Sequence, residues 1–226
     1  MTTPLMPITS LRDLRPGDLG LGPIGGLVGL GVGLGQWALG EGWRLDSDHE
    51  VRIRHACIVT KAARPAADSA DRWLMPQYAE AMPSGARHIH GDRWTEDWAW
   101  VRLPEDYPGQ AADAAWIASM MADMRVPYSF TSYRYLARWR LGLDTHRTLE
   151  WINRRQDPIS WTAPSGRRLA AGIPREAICS VFGDQSWTLM GKKIMHGVPY
   201  QCVTPKGLAN TLRHNTPGAV WAFPGR

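Results

Sequence analysis

Cysteine is scarce in this sequence. Its 226 residues include three, Cys57, Cys179 and Cys202, too scattered for a disulfide framework and without the CxxC pairs or ligand spacing of a zinc site. That usage fits a reduced compartment. Met1 to Ser10 lacks a basic segment followed by an apolar run and a small-residue cleavage site, so no secretory signal is expected. There is no Walker-type loop and no GxGxxG opening a helix; "GLGVGLG" lacks the lysine of a phosphate loop. No cofactor is therefore expected. Internal repeats and low-complexity tracts are missing too.

Charge is absent from Leu19 to Gly40, a stretch long enough to cross a bilayer. Nine of its 22 residues are glycine, and each costs about 1 kcal/mol relative to alanine in a helix. With no second span and no Lys or Arg cluster at its ends, the run is expected to be a packing element, not an integral membrane span. Gly25, Gly29 and Gly33 recur every four residues, as do Gly31 and Gly35, so a helix here would offer smooth strips for close backbone approach.

What is present is an ordinary globular balance, 44% hydrophobic and 21% charged. The net charge of +5 is unevenly placed: nine arginines between Arg134 and Arg175 face only Asp144, Glu150 and Asp157. This basic arm, about 134–175, reads as a solvated surface or as a contact for a protein, a phospholipid or another anionic polymer, nucleic acid included. Twelve tryptophans supply flat apolar faces for a core, an interface or stacking on sugar rings.

Along the chain, "LRPGDLGL" predicts a turn at Pro16 and Gly17 and a strand from about Asp18. "VRIRHACIVT" (51–60) predicts a strand entering a core, "ADSADR" (67–72) a polar turn, and "WLMPQYAEAM" a strand that returns through "PSG" as "ARHIHG". "WAWVRL" (98–103) predicts a further strand. Residues 108–124 predict the strongest helix, with Ala112, Ala115, Ile117 and Met120 or Met121 toward the sheet. "VPYSFTSYRYLARWRLGL" and "THRTLEWINRR" predict helical pieces, and "SWTAPSGRRLAAG" a loop. Residues 173–191 predict a helix entered at Pro174, and "VTPKGLANTL" a short helix capped by Thr204. The sum is one α+β domain over 1–226, an antiparallel sheet packed against helices and bearing the arm.

Few groups suit chemistry. Cys179 lies near the start of its predicted helix, where unpaired amides and the helix dipole favour a thiolate. His55 opens an apolar strand and suits a general base, and Glu80 on the next strand suits the group that orients it. The plainer reading of a lone cysteine is a small core hydrophobe. His88, His90 and Asp92 form H-x-H-x-D, one face of a strand able to hold a metal, but no further ligand cluster accompanies them, so no metal is expected. Cys57 and Cys202 read as structural.

The order "PGDLGL", "HACIVT", "YAEAMPSGA", "VPYSF", "AICS", "VTPKGLA" resembles the circularly permuted branch of the papain-like, NlpC-type cysteine peptidase and amidase superfamily, from Arg15 to Ala209. The resemblance implies a permuted papain-like fold with His55 as base, Glu80 as third residue, Cys179 as nucleophile, and Tyr128 lining the site and binding the oxyanion. It also places the glycine run beside the active cleft. It implies a peptide substrate, above all a cell-wall (peptidoglycan) peptide, or an acyl ester in hydrolysis or acyl transfer. Arg54 stands where relatives carry a small polar residue, and Val181 where they carry an acid. An alternative expectation is a catalytically silent module of a bacteriophage particle, using the arm and tryptophans as its interface.

Overall fold

The computed structural model describes residues 5–38, 40, 44–46, 49–143, 146, 150, 156–196 and 203–225. The fold is α+β. Six strands form one antiparallel sheet: β1 (Leu19–Gly22), β4 (His55–Lys61), β7 (Gln77–Met82), β8 (Gly85–His90), β9 (Ala99–Arg102) and β12 (Val220–Ala222), ordered β12-β9-β1-β4-β7-β8. Two-stranded ribbons are made by β2 (Arg44–Asp46) with β3 (His49–Arg52), β5 (Arg64–Ala66) with β6 (Ser69–Leu74), and β10 (Gln156–Thr162) with β11 (Arg168–Pro174). The helices are α1 (Gly26–Ala38), α2 (Gln110–Asp123), α3 (Phe130–Arg140), α4 (Cys179–Leu189) and α5 (Pro205–His214).

Strand alternation divides the sheet into two faces. Leu19, Leu21, Ala56, Ile58, Ala79, Ala81 and Val101 join Ile117, Met121, Phe182 and Leu208 in the main core, beneath α2 and α4. Each large aliphatic side chain buried there contributes about 1.5–3 kcal/mol. The opposite face carries Cys57, Val59, Tyr78, Trp98 and Trp100, closed by Ile8 and Leu14 from the N-terminal segment. Asp18, buried just before β1, takes Arg102 Nε at 2.9 Å and Nη2 at 2.7 Å. This forked pair fixes the "PGD" turn to β9.

Several expectations need correction. Residues 51–60 are two strands, because Arg54 N donates to Gly22 O at 2.9 Å and turns the chain between β3 and β4. Residues 69–72 belong to β6, since the turn of that ribbon is only Ala67 and Asp68. Pro76 separates β6 from β7. The "SWTAPSGRRLAAG" loop is most of the β10–β11 hairpin, whose reversal uses Gly166 at φ +84°. Asp113 of α2 holds that reversal through Ser165 N (3.1 Å) and Ser165 Oγ (2.5 Å), and Trp116 meets Trp161 edge to face. On α2 the buried face includes Asp113, Ala114, Ile117, Ala118 and Met121, and Ala112 is exposed. Most of "THRTLEWINRR", and Cys202, lie outside the described residues.

The glycine run is divided between β1 and α1, and among the described residues no helix is long and apolar enough to cross a membrane. Its strips do not meet another backbone as expected. A Cβ at Gly31 or Gly35 would touch nothing within 4 Å, and Gly33 abuts the Arg54 side chain; only Gly29 lies on a carbonyl, that of Ile24.

Candidate active site

The site is built from strand ends and a helix start. Gly22, the last residue of β1, pairs with His55, the first of β4, and Cys57 pairs with Glu80 of β7. His55, Cys57 and Glu80 therefore share one face, with Glu80 diagonal to His55, a gap that a long carboxylate side chain can span. His55 Nε2 lies 2.7 Å from Glu80 Oε2.

Cys179 is the first residue of α4, closer to the helix start than Pro174 at the entrance would have put it. The helix cannot begin earlier because Ala177 is extended and paired: its N–H donates to Pro127 O at 3.0 Å and its carbonyl accepts from Ser129 N at 3.2 Å. Ile178 then occupies the N-cap, with φ −92° and ψ 165°, and makes no side-chain cap bond to the first-turn amides. Ser180 Oγ donates to Val203 O at 2.6 Å and anchors this turn to the approach to α5, whose Thr204 Oγ1 accepts from Gly207 N as the capping expectation requires.

The structure brings His55 and Cys179 together. Burial is the largest influence on the imidazole and favours its neutral form. The charge and hydrogen-bonding pull of Cys179, followed by those of Glu80, outweigh it and raise His55 to about 9. With Nε2 committed to Glu80, Nδ1 is the ring nitrogen left for the thiol; it is buried and makes no well-formed hydrogen bond. Both groups are covered, Cys179 at 1% exposure and His55 at 2%.

Glu80 is fully buried and ionised. Desolvation opposes its charge, but His55, Arg93 and Arg87 overcome that and hold it at about 2. Arg87 grips Oε1 through Nε (2.9 Å) and Nη2 (2.8 Å), and Arg93 Nη2 reaches Oε2 at 2.9 Å. Arg87 was readable in principle, because a hairpin turning at residues 83–85 pairs Glu80 directly with Arg87. Arg93 lies beyond β8 and has no such signal.

Tyr128 flanks Cys179 through the bridge to Ala177, and its hydroxyl lies 2.8 Å from that of Tyr133. Burial first, and the nearness of Cys179 second, push both phenols up, so each keeps its proton. No sequence signal points to Tyr133: its spacing from Tyr128 is five residues and fits no simple helical face. Trp98 walls His55 edge to face, with centroids 6.3 Å apart.

The residues of the H-x-H-x-D run have other partners. His88 Nε2 is 2.8 Å from Asp123 Oδ1, His90 is 3.3 Å from Gln77 Nε2, and Asp92 accepts from Trp94 N. The H-x-H-x-D face does not converge, and among the described residues no cluster suits a metal. Cys57 is a buried filler whose thiol burial pushes up to about 12. No protein-family model matches the chain, and no curated protein matches it.

Proposed function

We propose that the protein is a thiol hydrolase of the permuted papain-like kind, cleaving amide or ester bonds through Cys179, His55 and Glu80. The observation that carries the reading is the imidazole held at 2.7 Å by a buried carboxylate, its other nitrogen left to a sulfur at a helix start. His55 Nδ1 holds the proton taken from the Cys179 thiol before Sγ bonds to the carbonyl carbon. The oxyanion is held by the Cys179 amide and the Tyr128 hydroxyl. His55 then protonates the leaving amine or alcohol as its bond to carbon breaks. Water, deprotonated by His55, displaces Sγ, and the proton returns to the thiol. By resemblance the substrate is a peptide, a peptidoglycan peptide first, with an acyl ester second.

The test is turnover of peptidoglycan fragments and of p-nitrophenyl acyl esters. Cys179→Ala abolishes it and His55→Ala lowers kcat at least about a thousandfold. Full activity in Cys179→Ala removes the reading.

The near-complete covering of both groups favours a second reading, a silent module that keeps the fold and binds partners, in a bacteriophage particle for example, through residues 134–175. Iodoacetamide decides between them. Alkylation of Cys179 at neutral pH supports the hydrolase, and an inert Cys179 in a chain that assembles stably through the arm supports the module.

A further inference from the structure

The Glu80 carboxylate accepts four hydrogen bonds, its full capacity. Oε1 takes Arg87 twice, and Oε2 is shared by His55 Nε2 at 2.7 Å and Arg93 Nη2 at 2.9 Å. The two arginines are not equivalent. Arg87 binds the far oxygen and its side chain is half exposed (49%), whereas Arg93 binds the oxygen that faces the imidazole and is 22% exposed. Arg93 also stacks on Trp98, 4.6 Å from the ring centroid, and Trp98 is the wall of His55. It thus touches both supports of the imidazole.

We infer that Arg93 is a positioning residue for the His55–Cys179 pair: sharing Glu80 Oε2, it fixes the carboxylate against the ring and tempers its pull on the imidazolium. The assignment rests on the thiol-hydrolase reading for what the pair does, but not for its geometry. The groups acting directly on His55 are Cys179 from α4 and Glu80 from β7; Arg87 from β8 and Arg93 beyond it act on Glu80, and Arg93 and Glu80 act on Cys57 of the same face. Tyr128 and Tyr133 act on the thiol side. Of these, only Arg93 places a fixed positive charge on the shared oxygen.

The experiment follows the His55 titration in the full chain by 15N-histidine NMR, assigned with His55→Gln, beside the pH dependence of Cys179 alkylation by iodoacetamide. Arg93→Gln removes the competing charge, so the His55 midpoint rises by about one pH unit, the size of shift a single close charge produces. Arg93→Lys, whose ammonium cannot both stack and reach Oε2, moves it the same way by less. Arg87→Gln, which removes a half-exposed partner of the far oxygen, moves it less than Arg93→Gln. Unchanged or lowered midpoints in the Arg93 variants overturn the assignment, as does an equal shift from Arg87→Gln. If Arg93→Gln does not fold, Arg93→Lys alone decides. Failure of the hydrolase reading looks different: His55→Ala then leaves Cys179 alkylation unchanged, whatever the Arg93 variants do.

Discussion

Two glycines shape the wall of the site as much as its ionised groups do. Gly20 and Gly22 lie under the aromatic face of the sheet: a Cβ at Gly22 would come within 2.5 Å of Trp98, and one at Gly20 within 2.7 Å of both Cys57 Sγ and Trp100. The requirement is space and not backbone conformation, since neither residue has a positive φ. Trp98 and Trp100 lie against these bare positions as a stacked pair, centroids 5.9 Å apart, and Arg93 covers Trp98. Gly22→Ala is therefore expected to displace Trp98 and cost about 1–3 kcal/mol, the usual penalty for overpacking. Urea unfolding checks the magnitude. Slower alkylation of Cys179 in the same variant, at a pH where the wild type reacts, checks that the displaced ring disturbs the imidazole. An unfolding midpoint equal to wild type would mean that the indole has room to move.

Helix α1 behaves oppositely along its own length. Leu30 and Leu34 are 56% and 53% exposed, and glycine costs helical stability wherever no neighbour needs the space. Gly31→Ala and Gly35→Ala each meet open space and are expected to raise local helix stability by about 1 kcal/mol. Gly29→Ala, set against the Ile24 carbonyl, is expected to lower it. Amide hydrogen exchange across residues 26–38 reads both signs, and a uniform response at the three positions would contradict this packing. The sequence showed that this run lacks charge and suits a helix, but not which glycines are needed, because that depends on contacts such as Arg54 against Gly33. The same limit applies to the other elements. The β7–β8 hairpin, β9 and α2 were legible because alternation, a "PSG" turn and a run of small apolar residues are local signals. The start of α4 was not, since a long-range pairing of Ala177 with residues 127–129 delays it to Cys179. His55, Glu80 and Cys179 could be named from residue type, strand order and resemblance, whereas the arginines that fill the carboxylate, and Tyr133 beside the thiol, come into view only with the fold.

The sheet separates two kinds of interior, and the balance between them is expected to appear in the pH dependence of stability. One face is an apolar core; the other holds a buried carboxylate and a buried imidazole in one network with a partly covered guanidinium. Glu80, held at about 2 against an ordinary 4.5, contributes stability that is complete above 4.5 and lost as pH falls toward 2. His55, raised to about 9 from 6.5, contributes stability complete below 6.5 and lost as pH rises through 9. Asp184 of α4 has the opposite sign to Glu80: burial raises it to about 6 from 3.8, so the native state binds its proton more tightly and loses stability as pH rises across that interval. Together these place the maximum well on the acid side of neutrality, at about pH 4, where the rise from Glu80 and the fall from Asp184 cancel. Urea unfolding from pH 3 to 10 should trace a dome with that apex. Asp184→Asn should flatten its descent between pH 4 and 6, and His55→Gln its descent above 6.5. A wild-type profile level from 6.5 to 9 would show that the folded protein does not hold His55 protonated, and the imidazolium that Glu80 and Cys179 are arranged to stabilise would then have no thermodynamic trace.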